Sequence, residues 1–253
     1  MPAMKKIKKN IPKIDTQEFL TRFKEFNRSN TITLFGMMKG ITLSTFGYVL
    51  LNNLIKYGIV FDGRSIIYIL LGASFIAMIL TYDSAFFGSI FSSSIPNSIS
   101  TFSIFSLSCF EFLIIVILLP IKNDSFIQLT IEEQVNYWFL FFAFFNLSGA
   151  LVQYNETRIL IKKEHFLEIE LQKLVESYKK IDRTNLIMAG ISGLFYLGVY
   201  FCFFSWKIKS IESQFALSLF ALFILFSALI SHHIQRRKII IDILKLNDNK
   251  AST

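Results

Sequence analysis

Three ionisable residues stand in stretches of sequence that are otherwise apolar. Lys39 lies in the first of these stretches, Asp83 near the end of the second, and Glu111 within the run FSLSCFEFLIIVILLP of the third. A charge at the centre of a bilayer costs on the order of 3 kcal/mol on insertion scales, so such residues usually face a protein interior, a partner or water. Lys39, Asp83 and Glu111, with the polar Asn146, are therefore our intramembrane functional candidates.

The positions of Lys39 and Glu111 predict that the two side chains meet. If their spans start near Ile32 and Ile99 and run in the same direction, Lys39 lies about 10 Å and Glu111 about 18 Å from one boundary, at about 1.5 Å per residue. Two extended side chains can bridge the difference of about 8 Å. The alternative is that Lys39 turns its ammonium group to the lipid headgroups. Whether Glu111 is charged is left open at this point.

Catalytic groupings are largely missing from the sequence. None of the three histidines lies in the middle of an apolar stretch, where an intramembrane serine or zinc hydrolase would need one. His165 and Glu168 are one helical turn apart, but two ligands alone make a poor metal site. No glycine-rich phosphate loop is present. We expect no enzyme activity, no cofactor and no metal, although a membrane lipid-modifying transferase is left open.

A basic cluster follows the last apolar stretch. It consists of His232, His233, Arg236, Arg237 and Lys238. Clusters of this kind beside a membrane span bind anionic headgroups, so we expect these residues to contact membrane lipids. Nucleic-acid binding is not expected, because the chain lacks a compact basic domain with interleaved aromatic residues.

The composition is that of a membrane protein. Of 253 residues, 53% are hydrophobic and only 17% are charged, against about 25% in soluble domains. A hydrocarbon core of roughly 30 Å needs about 20 mostly apolar residues per helix. Six stretches qualify: about 32–55, 66–87, 99–121, 135–153, 186–206 and 213–231. We predict an all-α polytopic membrane protein with six transmembrane helices arranged as three hairpins.

The distribution of basic residues predicts the orientation. Of the 26 Lys and Arg residues, 20 lie in segments 1–30, 154–185 and 232–253, which six spans place on one side. By the positive-inside rule that side is cytoplasmic. We therefore expect a multi-pass protein of the cell (inner) membrane with both termini in the cytoplasm.

Three regions follow from this orientation. We expect a basic cytoplasmic tail at 1–31, a transmembrane domain at 32–231 and a second basic cytoplasmic tail at 232–253. Asp15 as a helix N-cap with Glu18 three residues later predicts a helix start in the first tail, with apolar and basic faces suited to the membrane interface. The alternative is a basic anchor that only fixes the topology.

The segment between the fourth and fifth spans carries a leucine repeat. Apolar residues recur at heptad spacing and predict a cytoplasmic helix at about 156–182 that continues the fourth span. Its partner-binding candidates, which we call the heptad stripe, are Leu167, Leu171, Leu174 and Tyr178. The stripe packs either on cytoplasmic segments of its own chain or on a partner.

Two pairs of small residues predict helix contacts inside the membrane. Gly36 with Gly40, and Ala189 with Gly193, are each four residues apart. Close backbone contact is a main source of helix association in lipid, so we expect both pairs to pack on other spans.

An interfacial helix followed by six spans in about 250 residues resembles, in outline, the membrane subunit of one class of ATP-binding-cassette exporters. The resemblance covers architecture and no motif. The chain departs from it in the charged segment between the fourth and fifth spans, and in the turn 82–98, which lacks basic residues where that family contacts its ATPase. No family is assigned on this basis.

Two functions from different classes fit the sequence. The first is a pore-forming or permease-type subunit of a membrane complex, in which Glu111 lines the path or holds it closed. The second is a non-transporting membrane platform or effector that engages a cytoplasmic partner through the heptad stripe and the basic tails. In either case we expect a homo-oligomer or a cytoplasmic protein partner.

Overall fold

A computed structural model describes residues 16–58, 65–91, 98–120, 129–163, 169–206 and 210–251. This part of the chain is almost entirely helical and contains no strand. Its helices are α1 (Thr16–Tyr57), α2 (Ser65–Phe91), α3 (Ser98–Val116), α4 (Ile131–Lys163), α5 (Ile169–Trp206) and α6 (Ile211–Ala251).

Four of these helices are long and apolar enough to cross a membrane. Their apolar segments are Ser65–Tyr82, Ile131–Asn155, Glu176–Phe203 and Ile211–Ile241. They correspond to the second, fourth, fifth and sixth predicted spans. The predicted count of six is not confirmed, because α3 offers only the shorter apolar segment Phe102–Val116 and α1 is not among the four.

Side-chain contacts fix the direction of α1 relative to its neighbours. Lys39 pairs with Glu111 and, further along both helices, Asn53 donates to the carbonyl of Leu118, so α1 and α3 run parallel. Lys39 also contacts Thr81 of α2.

The rings of Phe46 in α1 and Phe75 in α2 stack with centroids 5.1 Å apart. From the Lys39–Thr81 contact to the Phe46–Phe75 contact, residue numbers rise in α1 and fall in α2. The two helices are therefore antiparallel.

The remaining helices continue the alternation. Gly72 lies beside Leu222, and Ser84 contacts His232, so α2 and α6 run parallel. Contacts from α4 to α3 and to α5 run in opposite order along the helices, so both pairs are antiparallel. The odd-numbered helices therefore point one way and the even-numbered helices the other. The start of α1 and the end of α6 lie at the same end of the bundle.

The predicted arrangement as three hairpins is not confirmed. The helices α3 and α4 do pack together, but α1 packs mainly on α3, α2 mainly on α6, and the largest interface joins α4 to α5. The buried contact between Lys39 and Glu111 holds α1 against α3. Of the three predicted hairpins, only the one formed by α3 and α4 is a main interface.

The interface of α4 with α5 is aromatic. Trp138 is fully buried and stacks on Phe142 at 4.5 Å, while the edge of Tyr196 meets Phe142 at 4.9 Å. The indole of Trp138 donates to the hydroxyl of Ser74 on α2 at 3.0 Å. Offset and edge-on ring pairs add about 0.5–1.5 kcal/mol each beyond area burial, so this cluster is a major source of cohesion.

Only one of the two predicted small-residue pairs packs on another helix. A Cβ atom at Gly193 would lie 2.8 Å from Leu147 Cγ and 3.1 Å from the Ala143 carbonyl oxygen. Gly36 and Gly40 are exposed, with nothing within 4 Å of an added Cβ. Within the single chain, the prediction for Gly36 and Gly40 was wrong. The face of α1 that contacts the other helices carries Lys39 and not these glycines.

Two helix ends show clear local causes. α1 ends at Gly58, whose φ of 65° is accessible to glycine without strain, and whose amide donates to the Leu54 carbonyl. α4 begins with a reciprocal capping box, in which the Thr130 amide donates to the Glu133 carboxylate at 2.7 Å and the Glu133 amide donates to the Thr130 hydroxyl at 3.2 Å. Both ends are thus specified by local sequence.

The predicted region boundaries fall inside continuous helices. α1 runs through position 31 and α6 runs through position 231 without interruption. The single helix predicted at 156–182 is not confirmed, since the described parts of this stretch belong to α4, up to Lys163, and to α5, from Ile169.

Candidate functional site

Three helices each contribute one polar side chain to a common buried site. Lys39 of α1 donates to a carboxylate oxygen of Glu111 on α3, and also to the hydroxyl of Thr81 on α2 at 2.6 Å. The side chains of Lys39 and Glu111 are 8% and 0% exposed. We call Lys39, Thr81 and Glu111 the buried triad. The contact between Lys39 and Glu111 that the depth estimate predicted is therefore present.

Thr81 connects the triad to the backbone of α2. Its hydroxyl lies 3.2 Å from the second carboxylate oxygen of Glu111, 2.9 Å from the Met78 carbonyl and 3.1 Å from the Ala77 carbonyl. One hydroxyl proton serves these three acceptors, while the oxygen accepts from Lys39. The hydroxyl is thus poised to keep its bond to the backbone or turn it to the carboxylate.

The register of α1 on α3 shows that Lys39 reaches forward along α1 to meet the acid. Asn53 is 14 residues beyond Lys39, whereas Leu118 is 7 residues beyond Glu111. At about 1.5 Å per residue, the Cα of Lys39 lies roughly 10 Å closer to the start of the parallel helices than that of Glu111. Side chains lean toward the helix N-terminus, so Lys39 extends against this tilt to reach the acid.

The buried triad lies close to a second polar contact, between α2 and α6. Thr81 is three residues before Ser84, whose hydroxyl is 3.3 Å from His232 Nε2 on α6. The site is therefore about one helical turn, or roughly 5 Å along α2, from the level at which the basic cluster of α6 begins.

A further buried hydroxyl stands next to Glu111 on its own helix. Ser108 precedes Glu111 by three residues, which places both on one face of α3. It is 4% exposed, and its hydroxyl has no hydrogen-bond partner. Burying such a group without a partner costs free energy, so its presence beside the ion pair requires an explanation.

The other intramembrane candidates do not join the triad. Asn146 is half-buried, and its amide donates to the Phe142 carbonyl of its own helix at 2.7 Å. Asp83 lies in α2, but its side chain is outside the described part of the structure.

The basic cluster divides between an inward and an outward face of α6. His232 is half-buried against Ser84, whereas His233, Arg237 and Lys238 are exposed. The side chain of Arg236 lies outside the described part. His233 and Arg237 line an open depression of about 520 Å³ together with two isoleucines of the next turn.

Most of the heptad stripe cannot be compared with the structure. Leu167, with His165 and Glu168, lies outside the described residues, and the side chains of Leu171 and Leu174 are likewise not described. Tyr178 is only 7% exposed. It is buried within the chain, which agrees with packing of the stripe on its own chain, and its role in binding a partner stays a prediction.

Sequence reasoning missed three polar contacts between helices. Thr81 does not stand out in the sequence, because a threonine near the end of a span is common. Asn53 to Leu118 and Trp138 to Ser74 were also missed. Each is a polar side chain within an apolar stretch, which is a visible signal, but its partner lies far away in sequence.

Comparison with known proteins adds no relative. No family model matches the chain, and no curated protein or solved structure matches it either.

Proposed function

We propose that this chain is an integral membrane protein that acts as a permease-type or pore-forming subunit, with the buried triad as its ionisable centre. Four helices long and apolar enough to cross a membrane support the membrane location. The alternating helix directions are compatible with repeated crossings by α1 and α3 as well, which is the six-span topology that the basic residues predict.

The ion pair of Lys39 and Glu111 carries this proposal. Ionisable residues buried at membrane depth are costly, and they commonly mark substrate or ion pathways. The ammonium group of Lys39 is directed to an acid whose Cα lies roughly 10 Å further along the parallel helices. Simple anchoring of α1 would not need this arrangement, because an apolar contact would hold the helices at least as well.

The triad suits a gate or binding point because it is neutral when closed. While Lys39 and Glu111 are paired, the three helices enclose no net charge at this level. Separating α1 from α3 would present a carboxylate and an ammonium group to the space between the helices. A small separation of these two helices therefore changes a closed, neutral interior into an open one lined by two charges.

Reconstitution into liposomes tests this function. Purified wild-type protein is incorporated, and fluxes of Na⁺, K⁺, H⁺ and Cl⁻ are followed with ion-sensitive dyes under imposed gradients. We expect at least one flux above that of empty liposomes. We expect Glu111→Gln to lower this flux about tenfold or more. A loss of about 1.4 kcal/mol in the attraction between the carboxylate and the permeating ion is already a tenfold change.

Glu212→Gln is the matched control, because Glu212 is an exposed acid at the start of α6. It should leave the flux unchanged. Absence of any flux in wild-type liposomes, or equal fluxes in the two glutamine variants, would overturn the permease proposal.

The platform or effector function remains a second proposal on a separate observation. The open depression on α6 combines the basic His233 and Arg237 with the exposed Ile240 and Ile241, beyond the level of His232. An exposed surface with both characters suits a cytoplasmic protein partner. Replacing Arg237 with Glu should then abolish the biological activity in cells. The ion flux measured in liposomes should be unaffected.

A further inference from the structure

We propose that Glu111, Thr81 and Ser108 form a binding site for a small monovalent cation, a proton or an alkali metal ion, which the ammonium group of Lys39 now occupies. This inference deepens the proposed permease function and rests on it for its biological meaning. The free cation enters the site as the ammonium group of Lys39 leaves it. The charge of the Glu111 carboxylate is therefore neutralised throughout.

The site has the ligands that such a cation needs. Glu111 supplies two carboxylate oxygens, and the Thr81 hydroxyl oxygen lies 3.2 Å from one of them. Ser108, one turn before Glu111 on the same face of α3, has a buried hydroxyl without a partner. Carboxylate and hydroxyl oxygens are suited to hard cations. Ser108 would supply one more oxygen ligand for the cation, a ligand that the ammonium group does not use. This role explains why its hydroxyl is buried there.

Lys39 has somewhere to go when it is displaced. Its Cα lies roughly 10 Å nearer to the start of the parallel helices than the Cα of Glu111. An extended lysine side chain reaches only roughly 6 Å from its Cα, so Lys39 must be extended to contact the acid. Leaving the acid lets the chain turn toward the helix N-terminus, the direction in which side chains naturally lean. The released ammonium group then reaches the headgroup level. Lys39 is thus a tethered cation that competes with a free one.

The titratable groups around the site are few among the described side chains. Lys39 faces Glu111 from α1, and His232 of α6 approaches through Ser84, one helical turn from Thr81. α2 itself contributes the Thr81 hydroxyl. Proton binding at Glu111 and metal-ion binding at Glu111 would therefore have the same effect on Lys39, and only the experiment separates them.

Amine labelling of Lys39 tests the exchange without any transport measurement. Full-length protein in detergent is treated with a sulfonated N-hydroxysuccinimide acetate, and acetylation is measured by mass spectrometry relative to the exposed Lys56 and Lys238. In N-methylglucamine chloride at pH 8.5, Lys39 should react slowly. Adding NaCl, LiCl or KCl at fixed pH and ionic strength should raise the Lys39 ratio about fivefold or more and saturate, because labelling follows the released population.

The proton is examined in the same way. In N-methylglucamine alone, lowering the pH from 8.5 to 7.0 should raise the ratio of Lys39 to Lys56 labelling if the proton is the competing cation. A response to metal ions with none to pH assigns the site to an alkali metal ion, and the reverse assigns it to a proton; either supports the proposal.

Variants separate a cation site from a merely loose ion pair. Glu111→Gln should abolish the dependence of Lys39 labelling on metal ions and pH, because the carboxylate that binds the competing cation is gone. Ser108→Ala should raise the half-maximal metal-ion concentration about threefold or more without changing labelling in N-methylglucamine, since the ammonium group does not use that hydroxyl. A Lys39 ratio that ignores all cations and pH overturns the proposal, whether or not Glu111→Gln releases the lysine. This result does not depend on the liposome fluxes, so the two proposals fail independently.

Discussion

Breaking the contact between Lys39 and Glu111 should destabilise the bundle by an amount that depends on what is left behind. Removing one member of a buried ion pair costs about 3–5 kcal/mol, because the other charge is left uncompensated. Lys39 can relieve part of this cost by turning to the headgroups, so we expect Glu111→Leu to cost about 3 kcal/mol. Glu111→Gln keeps an acceptor for Lys39 and for Thr81, and should cost about 1–2 kcal/mol.

The double variant shows whether the two residues act as a pair. Lys39→Met combined with Glu111→Leu removes both charges, and replacing a buried ion pair with apolar residues is often close to neutral. We expect the double variant to lie within about 1 kcal/mol of wild type, which gives a coupling free energy of about 2 kcal/mol or more. Neither single variant alone can supply this information.

Unfolding by SDS in mixed micelles measures these free energies, with the fluorescence of the fully buried Trp138 as one signal and helical circular dichroism as another. Lys56→Met serves as the control partner, because Lys56 is exposed and lies 17 residues further along α1. Its coupling to Glu111→Leu should be near zero. A coupling below about 0.5 kcal/mol between Lys39 and Glu111 would refute the reasoning, since the pair would then contribute nothing beyond its separate members.

Other predictions concern packing, topology and the heptad stripe. Gly193→Ala should lower the free energy of unfolding by about 1–3 kcal/mol because its Cβ would lie 2.8 Å from Leu147, whereas Gly190→Ala, with nothing within 4 Å, should be neutral or slightly stabilising in the same assay. Reporter fusions at Thr253 should read cytoplasmic and fusions at Asp124 external; an external C-terminus would overturn the orientation. Replacing the three leucines of the heptad stripe with Asp should abolish function or assembly while insertion persists, and normal activity of that variant would make the segment a passive connector.

The fold class and the ion pair could be foreseen from the sequence to different degrees. Long apolar stretches predict membrane helices because each helix satisfies its own backbone hydrogen bonds in lipid, independently of its neighbours. Four such helices are present. The meeting of Lys39 with Glu111 was predictable for a related reason, since two opposite charges at similar depth have few other partners available. Thr81, their third partner, carries no comparable penalty, so its polarity alone did not identify a partner.

The sequence by itself determined which segments are helical, which of them are apolar enough for a membrane, and where local caps such as Gly58 end them. These properties depend on residues within a few positions of one another. Only the tertiary structure decided that α1 packs on α3 and α2 on α6, and that Gly193 but not Gly36 meets a neighbouring helix. In an apolar bundle nearly every helix face is hydrophobic, so periodicity does not distinguish a packed face from one toward lipid. That choice depends on the fit of side chains across helices that are distant in sequence.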